Sequence, residues 1–167
     1  SFVPLTLLTN PRPVGEVQIA EGATLFTDIG GFTRLTETLA QLGDRGAELL
    51  NNTLRDVFTP LIEAIHTHGG TISHFYGDGM LVYFVGAGEI SVPQAFRCAA
   101  ALQAAIQSFS QLAIEENHFQ LSLKCGVGFG SLHSLVVAAD GQREFVLAGS
   151  SVEEATAAEK SSGGNPI

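Results

Sequence analysis

Two β-rich runs, Thr71–Tyr76 and Met80–Phe84, flank the triplet Gly77-Asp78-Gly79. Residues that tolerate positive φ between two such runs specify a tight β-hairpin. This hairpin constrains the fold more than any other feature, because helical patterns lie on both sides of it. Upstream, Ala23–Thr27 reads as a strand, and Leu35, Leu39 and Leu42 begin a helical spacing. A second helix follows Gly43, with Asp44 as its N-cap and Ala47, Leu50, Leu54, Val57, Leu61 and Ile65 as its apolar stripe. Pro60 is expected to kink that helix, and Gly69-Gly70 to end it. Downstream, Ser91-Val92-Pro93-Gln94 has capping-box form and opens a helix with Ala95, Ala99, Leu102, Ile106 and Phe109 on one face. Strands are expected at 121–129, 132–138 and 144–148, and Ser150-Ser151-Val152-Glu153 opens a last helix.

The resulting order, β-αα-ββ-α-β-β-β-α, predicts an α+β fold. It contains a ferredoxin-like βαββαβ core: a mixed or antiparallel sheet with helices on one face. At 167 residues, 45% hydrophobic and 15% charged, the chain fits one domain with a real core. Residues 1–20 hold Pro4, Pro11 and Pro13 and read as an extended lead-in to a domain over 21–167. The last residues stop where a strand could begin, so a piece of a longer chain is expected. No basic n-region opens the chain and no apolar run nears the roughly 18 to 20 residues of a membrane span, so a cytoplasmic setting is expected. Cys98 and Cys125 lack metal or redox spacing and read as reduced core thiols.

Eight Lys and Arg against 17 Asp and Glu give a net charge of −9. Polymeric nucleic acid and anionic membranes need a basic face, so neither is an expected partner. Chemistry must come from local constellations. In Phe26-Thr27-Asp28-Ile29-Gly30-Gly31-Phe32-Thr33 a carboxylate closes a strand, two glycines follow and a helix begins. Free N–H groups at such a helix start face an anion, and a carboxylate beside an anion needs a hard cation between them. The plainer alternative is a strand-end cap and a turn. Asp78 likewise is either turn chemistry alone or a second carboxylate. Should the hairpin pair beside the first strand, Asp28 and Asp78 meet at one sheet edge. There they repel unless a divalent cation separates them, which describes a two-metal phosphoryl-transfer site.

These segments, with His68–Phe84 and Gly126-Val127-Gly128-Phe129-Gly130, resemble the catalytic domain of class III adenylate/guanylate cyclases over roughly residues 22–165. The resemblance implies that Asp28 and Asp78 bind two Mg²⁺ or Mn²⁺ ions, with the Ile29 carbonyl as a further ligand. It implies that Gly30, Gly31, Phe32 and Thr33, together with Gly77, cradle phosphate. It also implies ATP or GTP as substrate, a cyclic nucleotide and pyrophosphate as products, and a site shared between two domains. Arg143 matches a region where family basic residues reach the β- and γ-phosphates; a solvated hairpin arginine is the alternative.

Other positions depart from the family. His74 stands where the purine-reading lysine is expected, and Val146 replaces the base-reading aspartate. Glu153 replaces the ribose-positioning asparagine, and Ala157 the transition-state arginine. Glu153 also fits a capping box with Ser150. His74 reads either as a polar residue satisfied on the sheet or as a pH-sensitive, anion-contacting group. The pattern resembles the metal-bearing first half of a tandem, bicarbonate-responsive soluble cyclase pair. It implies a complementary cyclase domain as partner, in cis or in trans, or a homodimer. The alternative is an inactive, cyclase-like regulatory domain that binds nucleotide or a small anion.

Overall fold

The computed structural model describes residues 13–139 and 142–162. The elements in order are β1 (Gln18–Gly30), α1 (Phe32–Ala40), α2 (Asp44–Thr67), β2 (Thr71–Tyr76), β3 (Gly79–Val85), α3 (Gly88–Ile106), β4 (Leu112–Ile114), β5 (Asn117–Phe119), β6 (Ser122–Ala139), β7 (Gln142–Ala148) and α4 (Ser150–Ser161). Five strands form one sheet in the order β2-β3-β1-β6-β7, and every pairing is antiparallel. β1, β2, β3 and β6 with their crossover helices are the expected split βαβ core.

The pleat of β1 assigns the layers. Ala23, Leu25 and Ile29 join Val57, Leu61 and Ile65 of α2 and Ala95, Cys98, Ala99 and Leu102 of α3 in the main core. Thr24 on the alternate face accepts a 2.7 Å hydrogen bond from the Ser151 hydroxyl of α4. Thus α2 and α3 cover one face, whereas α4 crosses to the other. Beside α4, Leu81, Tyr83, Leu132, Val136, Phe145 and Leu147 form a second core. α4 can lie close to β6 because Gly126 and Gly128 present no Cβ there; one would overlap the backbone of Ala155 and of Ser151.

Several expected boundaries move. β1 starts at Gln18, inside the anticipated lead-in, whose residues 1–12 lie outside the described ones. The two strands expected at 121–129 and 132–138 are one strand, β6: Gly130 takes φ 152° within it and the ladder to β1 runs on unbroken. Helix α3 begins at Gly88, so Ser91 is not its N-cap; the buried Ser91 hydroxyl instead donates back to the Ala87 carbonyl at 3.2 Å. The second capping box also fails. The N-cap of α4 is Gly149, and Ser150 Oγ accepts from the Ser131 amide at 3.0 Å. Asp44 is the first residue of α2, after Gly43 as N-cap, and Pro60 sits within that helix without ending it.

Candidate functional site

The hairpin and β1 build the site together. β3 pairs antiparallel with β1, and Thr27 lies opposite Met80, so Asp28 at the end of β1 meets the Gly77-Asp78-Gly79 turn. The approach is close: a Cβ on Gly79 would stand 2.7 Å from the Thr27 carbonyl oxygen. Gly77 turns the chain at φ 65°. Both carboxylates are half-buried. Burial raises the Asp78 pKa, a hydrogen bond to its own backbone amide partly offsets this, and the negative charge of Asp28 raises it further. The two carboxylates therefore feel one another.

Beyond Asp28 the Ile29 side chain is buried in the core, which fixes the strand end. Gly31, at φ 89°, caps α1, and its missing Cβ leaves room for the Gln120 carbonyl. No side chain caps the first turn of α1, and no acid lies in it. The N–H groups of Phe32 and Thr33 thus stay available to an anion. Phe32 is anchored by an edge-on ring contact with Phe58, at 6.2 Å between centroids, while Thr33 is exposed.

The donors that the pairing brings together are two carboxylates, both hard oxygen. That suits Mg²⁺ or Mn²⁺, which keep waters or substrate phosphate as their other ligands. Among the described residues no three His, Cys, Asp or Glu side chains group as a ready-made cage.

The other singled-out positions lie elsewhere. His74 on β2 is half-buried; its Nδ1 lies 2.6 Å from Ser73 Oγ, and its ring stacks between Tyr76 (5.7 Å) and Phe145 (6.2 Å). Val146 neighbours Phe145 on β7 but takes the alternate face and is 37% exposed. Glu153 and Ala157 are exposed, one turn apart on α4. Arg143 does not join the aspartates within this chain. It pairs with Ala138, whereas Asp28 pairs with Lys124, far back along the same strand.

Sequence reasoning did not anticipate a cavity of about 340 Å³ between the sheet and α4, lined by Phe26, Tyr76, Leu81, Val152, Thr156 and Lys160. Phe26 and Tyr76 precede the two aspartates by two residues each, and that spacing was the available signal.

No protein-family model matches the chain. Its sequence is 27% identical over 143 residues to adenylate cyclase type 10 of Rattus norvegicus, an alignment covering 83% of this chain and 9% of that protein. The chain thus spans only about 9% of the length of this relative. Its fold matches the adenylyl cyclase CyaB from P. aeruginosa with a TM-score of 0.67 and 23% identity, over 87% of this chain and 74% of that one. It matches the guanylyl cyclase Cya2 with a TM-score of 0.66 and 24% identity, over 89% and 73%. The chain therefore has the fold of class III adenylyl/guanylyl cyclase catalytic domains. Among curated proteins its likeness is to adenylate cyclase type 10.

Proposed function

We propose that this domain is the metal- and triphosphate-binding half of a nucleotidyl cyclase, converting ATP to cyclic AMP and pyrophosphate when a complementary cyclase domain completes the site. The observation that carries this reading is the meeting of Asp28 and the Asp78 turn across antiparallel β1 and β3, beside the uncapped start of α1.

In this reading Asp28, Asp78 and the Ile29 carbonyl hold two Mg²⁺ or Mn²⁺ ions. Such ions, when bound, lower the pKa of the ribose 3′-hydroxyl and offset charge on the phosphates. The Phe32 and Thr33 amides bind phosphate oxygens, and Gly31 lets the backbone approach them. The 3′-hydroxyl would give its proton to solvent water, the O3′–Pα bond would form, and the bond from Pα to the pyrophosphate oxygen would break. A net charge of −9 is compatible with an anionic substrate because the cations invert the local sign.

The chain cannot complete the site. Ala157 has no group to stabilise the pentavalent phosphorus, Glu153 would repel phosphate, and Val146 cannot hydrogen-bond a base. His74 is engaged with Ser73 and two rings. The partner domain supplies lysine, asparagine and arginine, in a cytoplasmic dimer. These same four residues favour a second reading, a regulatory domain that binds nucleotide or a small anion without turnover. GTP takes the place of ATP where the partner reads guanine.

The test is formation of cyclic AMP and cyclic GMP by the chain alone and mixed with a cyclase domain that carries lysine three residues before its Gly-Asp and an Asn…Arg helix. The proposal expects no turnover alone, turnover on mixing, and its loss in Asp28→Ala. Binding of Mn²⁺-ATP without product in every mixture would favour the regulatory reading. Failure to bind Mn²⁺ would sink the cyclase reading.

A further inference from the structure

The short β4–β5 hairpin supports the glycine turn. Gln120, the residue after β5, places its carbonyl in the space that a Gly31 side chain would fill, so it braces the N-cap of α1. Ile114 and Phe119 of the hairpin are buried with Leu35 and Leu39 of α1. β4 and β5 are locked in one register, Ile114 opposite Asn117 and Leu112 opposite Phe119. A tilt of the hairpin therefore carries Gln120 with it.

The turn of the hairpin is tied down as well. Arg45, at the start of α2, pairs with Glu115 in that turn at 2.5 Å. Next to Arg45, Gly46 admits the Leu39 carbonyl where a Cβ would clash, which closes the corner between α1 and α2. The ion pair thus joins the corner after the last turn of α1 to the hairpin that braces its first. Glu115 adopts φ 54° and is the one non-glycine residue at positive φ among the described residues. Glycine would occupy that conformation at less cost. Backbone preference does not explain a glutamate there, whereas the contact of its carboxylate with Arg45 does.

We propose that the β4–β5 hairpin is a clamp that sets the aim of the first-turn amides of α1, and that the Arg45–Glu115 pair is its latch. The amides are those of Phe32 and Thr33, so the proposal rests on the reading of that turn as a triphosphate cradle. Arg45 and Glu115 are positioning residues: they act through Gln120 and Gly31. With the latch open, the buried contacts of Ile114 and Phe119 keep the domain folded, but Gln120 no longer fixes the angle of Gly31.

The test is Glu115→Gly, which removes the carboxylate and relieves the positive φ, so that stability and affinity part. The melting midpoint should hold or rise. The Kd for Mn²⁺-ATP, measured by calorimetric titration of the full chain, should rise about threefold, within the range of an exposed ion pair. The Leu35 amide donates to the Gly31 carbonyl at 3.2 Å, the first hydrogen bond of α1. Its hydrogen exchange should quicken by a similar factor with no ligand present. Arg45→Glu should give the same two losses, and combining it with Glu115→Arg should restore both. The clamp is overturned if Leu35 exchange and affinity are unchanged in Glu115→Gly and Arg45→Glu, or if the folded charge reversal fails to restore them. Wild type that does not bind Mn²⁺-ATP overturns the reading of the cradle, and Leu35 exchange then decides the clamp alone.

Discussion

Gly31→Ala tests how the glycine turn is built. Gly31 adopts φ 89°, where an L side chain costs roughly 1–2 kcal/mol. An added Cβ would also overlap the Gln120 carbonyl oxygen, so one backbone segment must move. Overpacking of that kind costs about 1–3 kcal/mol more. The total is about 2–5 kcal/mol. For a domain of this size, at about 2–4 °C per kcal/mol, the midpoint should fall by roughly 4–20 °C. Gly77→Ala is the control, since Gly77 has φ 65° but nothing within 4 Å of an added Cβ. It should carry the conformational cost alone. Calorimetric melts of both variants in EDTA separate the two contributions. Equal losses, or a Gly31→Ala loss under about 0.5 kcal/mol, would refute the packing argument.

Further outcomes follow from the same structure. Removing one carboxylate by Asp28→Asn should stabilise the metal-free domain by about 0.5–1 kcal/mol in urea titrations, since half-exposed like charges are screened; destabilisation would count against their proximity. The raised pKa of Asp78 sets a pH dependence. Its ionised form is disfavoured by folding, so the penalty is present above the folded pKa and vanishes as pH falls through it. Asp78→Asn should therefore be more stable than wild type at pH 7 in EDTA, with the gap closing as pH falls from the raised pKa to the ordinary carboxylate value. Burial pushes Cys98 and Cys125 up to about 12, so native protein at pH 8 should resist a thiol-specific disulfide reagent and react on unfolding.

The hairpin was legible because Gly77-Asp78-Gly79 between two β-rich runs has few other readings, and it placed Asp78 beside Asp28 through ordinary pairing. What escaped sequence reading was set by tertiary contact. Gly130 looked like a break between two strands, yet it lies at φ 152° inside a single one. Ser91 and Ser150 both resembled N-caps, but one is buried inside a helix turn and the other bonds Ser131 across the sheet. The short hairpin of β4 and β5 has three-residue strands, too brief for a period to show; Arg45 holds Glu115 at its turn through a 2.5 Å ion pair. The alternating glycines 126 and 128 carried a signal, a Cβ-free stripe on one face, whose meaning appears only once α4 lies on it.

Thermal melting with Mn²⁺ and with EDTA bears most directly on the whole reading. At about 100 times its dissociation constant, a bound cation should add about 2.7 kcal/mol and raise the midpoint by roughly 5–10 °C. Asp28→Ala and Asp78→Ala should each abolish that rise. An unchanged midpoint in saturating Mn²⁺, or an equal rise in the variants, would contradict it.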